Sequence, residues 1–365
     1  MSGNEVEMAI DKARRSARTS AAKPLTGIRE VARLAGVSVG TVSNVLNRPE
    51  KVSEETLRRV EQVIERLDFV PNRGAADLRT GRSRMIGLVV PDITNPFFAE
   101  VARGAVDAAS QQGYVVVLCN SDQDIGKQDG YLDVLEEQRV AGVLINPIGK
   151  IPSRLGRLRD RGSGVVLVDR TAKVSEYSSV AVDDVRGGQV AVEHLLASGA
   201  RTVAMVNGPA TLRQCADRRR GARKALDKAG RAADDLVEVS METMSIHAGV
   251  AAAERLLALD IRPDAVFCAN DLMAIGVTRR LTEAGLNVPD DVAVAGYDDV
   301  ELAAEAPIPL TSIGQPKYEL GQVAAELLLK EIAGGPDARH ERIVFQPHLT
   351  ERQSTAGTGP IRQAG

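Results

Sequence analysis

The chain has 365 residues, of which 44% are hydrophobic, and a formal net charge of -3. This length allows more than one domain, and the composition is that of an ordinary globular protein. No run of about eighteen apolar residues occurs, and residues 1–24 lack the apolar middle of a secretory signal, so we expect a cytoplasmic protein that does not enter a membrane.

Cysteine and histidine are few and scattered. The three cysteines show no CxxC spacing, and the four histidines form neither an HExxH motif nor a cluster with cysteine. We therefore expect reduced, buried thiols, no metal site and no cofactor.

Charge is distributed unevenly along the chain. Residues 1–84 hold 16 lysines and arginines against 11 acids, a net of +5, and the remainder has a net of -8. The basic end is the candidate nucleic-acid end, although a solvated basic tail fits the charge equally well. Residues 1–24 lack hydrophobic periodicity and are predicted to be a disordered basic arm.

Residues 25–72 carry the pattern of three short helices. Val31, Leu34 and Ala35 recur at helical spacing, Gly36 ends that helix and Ser38 caps a second one. The second helix buries Val42, Val45 and Leu46 and leaves a small, polar face, made of Val39, Gly40, Ser43, Asn44 and Asn47. A third helix, capped by Ser53, closes the core with Leu57, Val60, Ile64 and Leu67. The pattern predicts a helix-turn-helix whose second helix enters the DNA major groove.

The run AGVSVGTVSNVLN resembles the DNA-binding headpiece of the lactose and galactose repressor family. The resemblance implies two sets of contacts: Val39, Gly40 and Asn44 would read base edges, and Thr41, Ser43, Asn47 and Ser53 would contact phosphates. Asn44 departs from the family pattern, where arginine is more common, and Gly27 stands where threonine is usual. Because asparagine pairs with adenine and arginine with guanine, we expect an operator that differs from the usual family site.

Residues 73–84 join this domain to the first strand and are expected to form a hinge helix. In the family the hinge folds on operator DNA, and a leucine from each of two chains wedges into the minor groove. Leu78 holds that position here, with basic flanks that suit a wedge. Packing of Leu78 against the core is the alternative. Gly74 disfavours the helix, and Asp77 would repel a phosphate.

After Met85, apolar runs rich in β-branched residues alternate with amphipathic stretches. The runs are MIGLVV, YVVVLCN, VAGVLINP and GVVLVDR in a first series, then TVAMVNG, LVEVSM, DAVFCAN and VAVAGYDD in a second. The alternation predicts an α/β fold in which a doubly wound parallel sheet is built twice. Ligands then bind beyond the carboxyl ends of the strands.

No GxGxxG follows the first strand, which disfavours a dinucleotide enzyme. The strand leads instead into PDITNPFFAE. Together with CANDLMAIG, GYDD and TSIGQP, this segment resembles the two-lobed, periplasmic-binding-protein-like core of the same repressor family over residues 85–352. The resemblance implies an effector between the lobes, contacted by Phe97, Phe98, Asp183, Arg218, Asn270 and Asp298.

Several of these residues have ordinary structural alternatives. Phe98 could belong to the core, Asn270 could cap a helix, Asp298 could close a turn, and Arg218 could lie on an exposed arginine face of DRRRG. An arginine fork and a carboxylate each engage neighbouring hydroxyls, which suits a polyhydroxylated effector. The chain has no tryptophan as a stacking platform, so a sugar-like and a nucleoside-like effector both stay open.

These motifs predict a sequence-specific transcriptional regulator, chiefly a repressor, that binds a pseudo-palindromic operator in double-stranded DNA as a homodimer and is not an enzyme. Effector binding would change the angle between the lobes and thereby the folding of the hinges on DNA. A secreted solute-binding protein would need a signal peptide, an enzyme would need a phosphate loop or paired catalytic groups, and an architectural DNA protein would not need ligand-binding lobes. Residues 353–365 are expected to be a flexible tail without a leucine heptad, which favours a dimer over a tetramer.

Overall fold

The structure is a computed structural model that describes residues 27–69, 83–335 and 338–356. It divides into two compact units, one within residues 1–82 and the other within 83–365. Four predicted features lie outside the described residues: the arm over 1–24, Leu78, residues 73–82 of the hinge, and the tail beyond 356.

The described part of the first unit, residues 27–69, forms three α-helices, with α1 over Ile28–Ala35, α2 over Val39–Asn47 and α3 over Glu54–Leu67. Gly36 ends α1 with a left-handed φ of 64°, which glycine adopts without strain. The Ser38 hydroxyl caps α2 by accepting from the Thr41 amide at 3.0 Å. This confirms the predicted helix-turn-helix. Ser53 holds the predicted cap position of α3, but its hydroxyl donates to the Thr56 hydroxyl instead of capping a backbone amide.

The core of this domain is built from the faces that the helical spacing predicted. Its buried members are Val31, Ala32, Ala35, Val42, Val45, Val60, Val63 and Phe69. The residues at the opposite positions of α2 are thereby left at the surface.

The second unit contains two six-stranded sheets. Its strands are β1 Met85–Val90, β2 Val115–Asn120, β3 Gly142–Ile145, β4 Gly164–Val168, β5 Ser178–Val182, β6 Val203–Asn207, β7 Val237–Ser240, β8 Ala265–Cys268, β9 Ala293–Asp298, β10 Thr311–Gly314, β11 Arg342–Phe345 and β12 His348–Thr350. Its helices are α4 Pro96–Gln111, α5 Ile125–Glu137, α6 Arg154–Asp160, α7 Asp184–Ala197, α8 Arg213–Lys228, α9 Ile246–Leu257, α10 Asp271–Glu283, α11 Glu301–Ala304 and α12 Lys317–Gly334.

Each sheet forms the centre of one lobe. The first lobe has the strand order β11-β5-β4-β3-β1-β2, and the second has β12-β10-β9-β8-β6-β7. All neighbours are parallel except β12, which pairs antiparallel with β10. The prediction of two doubly wound sheets is confirmed, and the all-parallel pairing is corrected at this one edge, where an antiparallel strand is common in such sheets.

The chain passes between the lobes three times, from β5 to α7, from β10 to α12 and from β11 to β12. The TSIGQP segment predicted as a crossing therefore contains strand β10 before the crossing itself. Because α12 packs with the first lobe, that lobe draws on both halves of the sequence, whereas the elements of the second lobe, α7 included, all lie after residue 183.

Three helix pairs pack so closely that both partners need a glycine at the contact. A Cβ at Gly104 of α4 would collide with the Tyr318 carbonyl oxygen, and one at Gly321 of α12 with that of Val101. The same reciprocal arrangement joins the other two pairs through Gly188 and Gly221, and through Gly249 and Gly276. Within the described part of the chain, no helix combines the length and hydropathy needed to cross a membrane.

Candidate functional site

The outward face of α2 is the candidate nucleic-acid surface of the three-helix domain. Val39, Gly40 and Asn44 are all exposed on it, while Val42 and Val45 are buried beneath. The predicted base-reading residues thus share one accessible face of a capped helix. Their contacts with bases stay a prediction.

The predicted phosphate-contacting residues lie around the same helix. Thr41 is half-buried, and its hydroxyl lies 2.9 Å from that of Ser38. Ser43 is half-buried on α2, Ser53 is exposed at the start of α3, and Asn47 is the last residue of α2, with its side chain outside the described part. Phosphate contacts for these four residues also stay predictions.

A partly open cleft with a cavity volume of about 40 Å³ lies between the two lobes of the second unit. It lies at the carboxyl ends of strands from both sheets, as predicted for doubly wound sheets. Its lining consists of Pro91, Asp92, Asn95, Phe97, Phe98, Gln123, Asp169, Leu212, Gln214, Cys215, Arg218, Met244, Asn270 and Asp298. Five of the six predicted effector residues are among these, and Asp183 is not.

Two phenylalanines form the apolar wall of the first lobe. Asn95 caps α4 by accepting from the Phe97 amide at 3.0 Å, which places Phe97 and Phe98 in the first turn of that helix. The two rings pack edge to face with centroids 5.0 Å apart, and both are almost completely buried. Phe98 therefore belongs to the core and to the cleft wall at once.

Arg218 is buried in the cleft and does not lie on an exposed arginine face. Its Nε donates to Asp184 Oδ1 at 2.8 Å, and its Nη1 donates to the Ala269 carbonyl at 2.5 Å. Its guanidinium also lies 3.7 Å from the centroid of the Tyr297 ring, which it covers. A Cβ at Gly188 would collide with the Arg218 backbone, so the close packing of α7 on α8 fixes where this arginine enters the cleft.

Two predicted effector residues serve as helix caps. Asp183 caps α7 by accepting from the Arg186 amide at 2.9 Å, and it is the next residue, Asp184, that faces Arg218. Asn270 caps α10 by accepting from the Met273 amide, and its Nδ2 donates to the Met244 carbonyl. Capping leaves Asn270 at the cleft surface with part of its amide capacity unused.

Asp298 ends β9 with a positive φ of 103° and directs its carboxylate into the cleft. Its Oδ1 accepts from Gln315 at 2.7 Å, and its Oδ2 accepts from Asn95 of the opposite lobe at 3.1 Å. Burial raises the pKa of this carboxyl, and the nearby Arg218 guanidinium opposes the rise.

Asp169 and Gln123 are cleft residues that the motifs did not identify. Asp169 follows β4, and its Oδ2 accepts from Gln214 of the second lobe at 2.6 Å and from Asn146 at 3.1 Å. Its Oδ1 and the Oε1 of Gln123 are buried without a hydrogen-bond partner among the described residues. Burial raises the pKa of Asp169 to about 8. The sequence did contain a signal for Asp169: an acid directly follows the apolar run GVVLV, just as Asp298 stands at the end of the apolar run that leads into GYDD.

The wall contributed by the second lobe is rich in sulfur. Cys215 Sγ lies 3.7 Å from Met244 Sδ, and both side chains line the cleft. Burial raises the pKa of Cys215 to about 11, which keeps the thiol neutral. Among the described residues, no group of three or more His, Cys, Asp or Glu side chains is placed so that it could hold a metal ion.

Comparison with known families divides the chain in the same way as the structure. Residues 27–72 match the family model described as bacterial regulatory proteins, lacI family. Residues 192–355 match the model of a periplasmic binding protein-like domain. The HTH-type transcriptional repressor PurR of Vibrio campbellii is 37% identical over 333 residues, which cover 90% of this chain and 98% of the repressor.

Solved structures show the same architecture. The lac repressor dimer bound to operator and the anti-inducer ONPF superimposes with a TM-score of 0.78 at 28% identity, covering 92% of this chain and all of that one. A complex of the transcriptional regulator CelR with cellobiose gives a TM-score of 0.67 at 34% identity, covering 90% of this chain and 99% of that one.

Proposed function

The chain belongs to the lacI family of bacterial regulatory proteins, and from this premise we propose that an uncharged small molecule rich in hydrogen-bond donors controls its binding to DNA. As a member of this family it is a DNA-binding transcriptional repressor that acts as a dimer on operator DNA, and it is not an enzyme. Such a repressor works beside the chromosome, so we place it in the cytoplasm.

The arrangement of acceptors in the cleft carries the proposal about the effector. Asp169 Oδ1 and Gln123 Oε1 are buried and have no hydrogen-bond partner in the part of the chain that the structure describes, and buried polar atoms of native proteins are normally paired. Asp298 adds a carboxylate from the other lobe. An effector with several hydroxyl or amine hydrogens would satisfy these groups, as a sugar-like or nucleoside-like molecule can.

The charges in the cleft disfavour an anionic effector. Three buried acids, Asp169, Asp184 and Asp298, surround one guanidinium, that of Arg218, which is already paired with Asp184. A phosphate would meet no unpaired cation among these groups, and its own charge would be buried in a site of low dielectric constant. We therefore expect the free sugar or nucleoside to bind, and its phosphate ester to be rejected.

Thermal denaturation tests this effector chemistry. Ribose, cellobiose and adenosine are compared with ribose 5-phosphate and AMP, and at least one uncharged compound is expected to raise the melting temperature by mass action. The shift should vanish in Asp298→Asn, because asparagine replaces one of the carboxylate oxygens by a donor. Stabilisation by the phosphate esters alone would contradict the proposal.

Bonds between the lobes offer the route by which an effector would act. Asn95 of the first lobe donates to Asp298 of the second, and Gln214 of the second donates to Asp169 of the first. An effector that donates hydrogen bonds to Asp298 and Asp169 replaces these bonds between the lobes by bonds between the protein and the effector. It shifts the balance between lobe arrangements to the extent that it binds them unequally.

The edge strand β2 supplies a candidate dimer surface. Val115 is 62% exposed at this edge, and Val117 and Leu118 are exposed with it. Val106 of α4 and Val134 of α5 are further exposed valines. An apolar strand edge with no neighbouring strand among the described residues is an association site, so a second copy of the chain is expected to cover it.

DNA recognition is tested by selecting genomic fragments with the purified full-length chain at fixed salt. A pseudo-palindromic site is expected, since a dimer presents two copies of α2. Recovery of no preferred sequence would contradict specific recognition by Val39, Gly40 and Asn44.

A further inference from the structure

A turn with two positive φ angles sets the direction of the Asp298 carboxylate. Asp298 has a φ of 103°, and Asp299 follows with a φ of 50°. Residues other than glycine rarely adopt such angles, and they do so where surrounding contacts over-determine the conformation. The groups that hold this backbone therefore decide where the carboxylate points.

Two buried side chains hold the backbone of this turn. Ser312 Oγ accepts from the Asp299 amide at 3.0 Å, and Asp271 Oδ2 accepts from the Val300 amide at 2.9 Å. The Ser312 hydroxyl also donates to Asp271 Oδ1 at 2.6 Å. Asp271 and Ser312, here named the bracket, thus tie two consecutive amides to one linked pair of side chains, and neither is more than 1% exposed.

The bracket is not hydrogen-bonded to the Asp298 carboxylate. The oxygens of that carboxylate accept from Gln315 and Asn95 instead. Neither Asp271 nor Ser312 is among the residues that line the cleft. The bracket therefore acts on Asp298 through the backbone of the turn.

We propose that Asp271 and Ser312 are positioning residues for effector binding, because they hold the turn in the conformation that presents Asp298 to the cleft. This rests on the proposed function, in which Asp298 contacts the effector. Losing the bracket would weaken effector binding although no effector contact is removed.

The first test requires no ligand and measures hydrogen exchange in the full-length chain. Ser312→Ala removes the acceptor of the Asp299 amide, so exchange in a peptide covering 298–300 should rise about tenfold or more. The control is Thr311→Val, which removes an equally buried hydroxyl from the neighbouring residue. That hydroxyl lies 2.7 Å from the Thr355 hydroxyl and donates to a carbonyl outside the turn. Unchanged exchange over 298–300 in Ser312→Ala would overturn the proposal.

The second test measures affinity, using whichever of ribose, cellobiose or adenosine raises the melting temperature of the unaltered chain. Ser312→Ala should raise Kd about tenfold, the size of one lost hydrogen bond. Ser312→Thr keeps the hydroxyl and should have the Kd of the unaltered chain. Thr311→Val should also leave the Kd unchanged. Equal affinity of Ser312→Ala and the unaltered chain would overturn the proposal.

The two measurements distinguish a failure of the bracket proposal from a failure of the proposed function. If none of the three compounds raises the melting temperature, the proposed effector chemistry fails, and hydrogen exchange alone decides the role of the bracket. If Ser312→Ala does not fold, Asp271→Asn takes its place in both measurements. It replaces one of the two carboxyl oxygens that accept from Val300 and Ser312 by an amide donor.

Discussion

Single acidic residues at strand ends define the chemistry of the cleft. Asp169 follows β4 in the first lobe and Asp298 ends β9 in the second, and both adopt a positive φ that turns the side chain out of the strand direction. Each accepts a hydrogen bond from an amide of the opposite lobe. The two lobes therefore present matching carboxylates to a ligand between them.

Replacing Asp169 by asparagine should change how stability depends on pH. Its pKa rises from 3.8 to about 8 on folding, so between these values the folded chain holds a proton that the unfolded chain has lost. The contribution of Asp169 to stability is full below pH 3.8 and is lost as pH rises to about 8. Relative to the unaltered chain, Asp169→Asn should therefore gain stability as the pH rises, by up to about 1.4 kcal/mol per pH unit. Urea denaturation at pH 5, 6.5 and 8 measures the difference; the same difference at all three values would contradict the shift.

Asn44 allows a prediction at the DNA surface. It is exposed on α2 beside Gly40, whose lack of a side chain leaves room for a neighbouring contact. Asn44→Ala should cost about 1–3 kcal/mol on the selected operator and relax the preference at one base pair, as expected for loss of a bidentate base contact. Quantitative binding to operators with single base changes measures this. Equal discrimination at every base pair would exclude Asn44 from base reading.

Elements pack through glycine more tightly than their sequences indicate. Hydrophobic periodicity predicted that amphipathic helices cover the sheets, yet α4 meets α12 backbone to backbone at Gly104 and Gly321. The same packing of α7 on α8 places Arg218 in the cleft. Such contacts depend on which helices become neighbours, and a single sequence does not reveal that.

Adding one methyl group at this contact should therefore be costly. Gly321→Ala is expected to destabilise the chain by about 1–3 kcal/mol, since its Cβ would meet the Val101 carbonyl and the two helices would have to separate. Gly130→Ala in α5 is the matched control, because a Cβ there meets nothing within 4 Å. The control should be stabilised by about 0.5–1 kcal/mol through lower chain entropy and better helix propensity. Thermal denaturation of both variants gives the comparison, and equal effects would contradict close packing at Gly321.

Strand prediction succeeded where apolar runs are continuous and failed where they are short or interrupted by polar residues. All eight predicted runs form strands, the edge strands β2 and β7 included, whereas the interior strands β5 and β10 and the edge strands β11 and β12 were not predicted. β11 alternates exposed and half-buried residues and pairs with β5 from far along the chain, and β12 has three residues. Neither has a local pattern that distinguishes it from a loop. Asp169 was missed for a related reason, since its role depends on Gln214 arriving from the opposite lobe.

At the scale of the whole molecule, an effector in the cleft can control DNA binding by the dimer only if the cleft is physically connected to the dimer surface. α4 begins at the cleft with Phe97 and Phe98, and its exposed Val106 belongs to the predicted dimer surface. Its partner α12 starts with Lys317, which donates to the carbonyls of Asp298 and Asp299 in the opposite lobe. A change in lobe arrangement would thus act on a helix pair that also faces the second copy of the chain.

Disrupting the edge of β2 should separate dimerisation from folding. Val115→Asp is expected to shift the full-length chain from dimer to monomer in sedimentation velocity, because a carboxylate would be buried at the apolar interface. The monomer should remain folded, with a melting temperature lowered only by the loss of dimerisation, since Val115 is 62% exposed in the single chain. Ile261→Asp, at a residue 74% exposed in the second lobe, is the matched control and should leave the dimer intact. The Val115→Asp monomer should also bind the selected operator at least about tenfold more weakly, because it presents one copy of α2 where the dimer presents two linked copies. If Val115→Asp remains a dimer, the interface does not include the edge of β2, and the exposure of Val117 and Leu118 is then not explained by dimerisation.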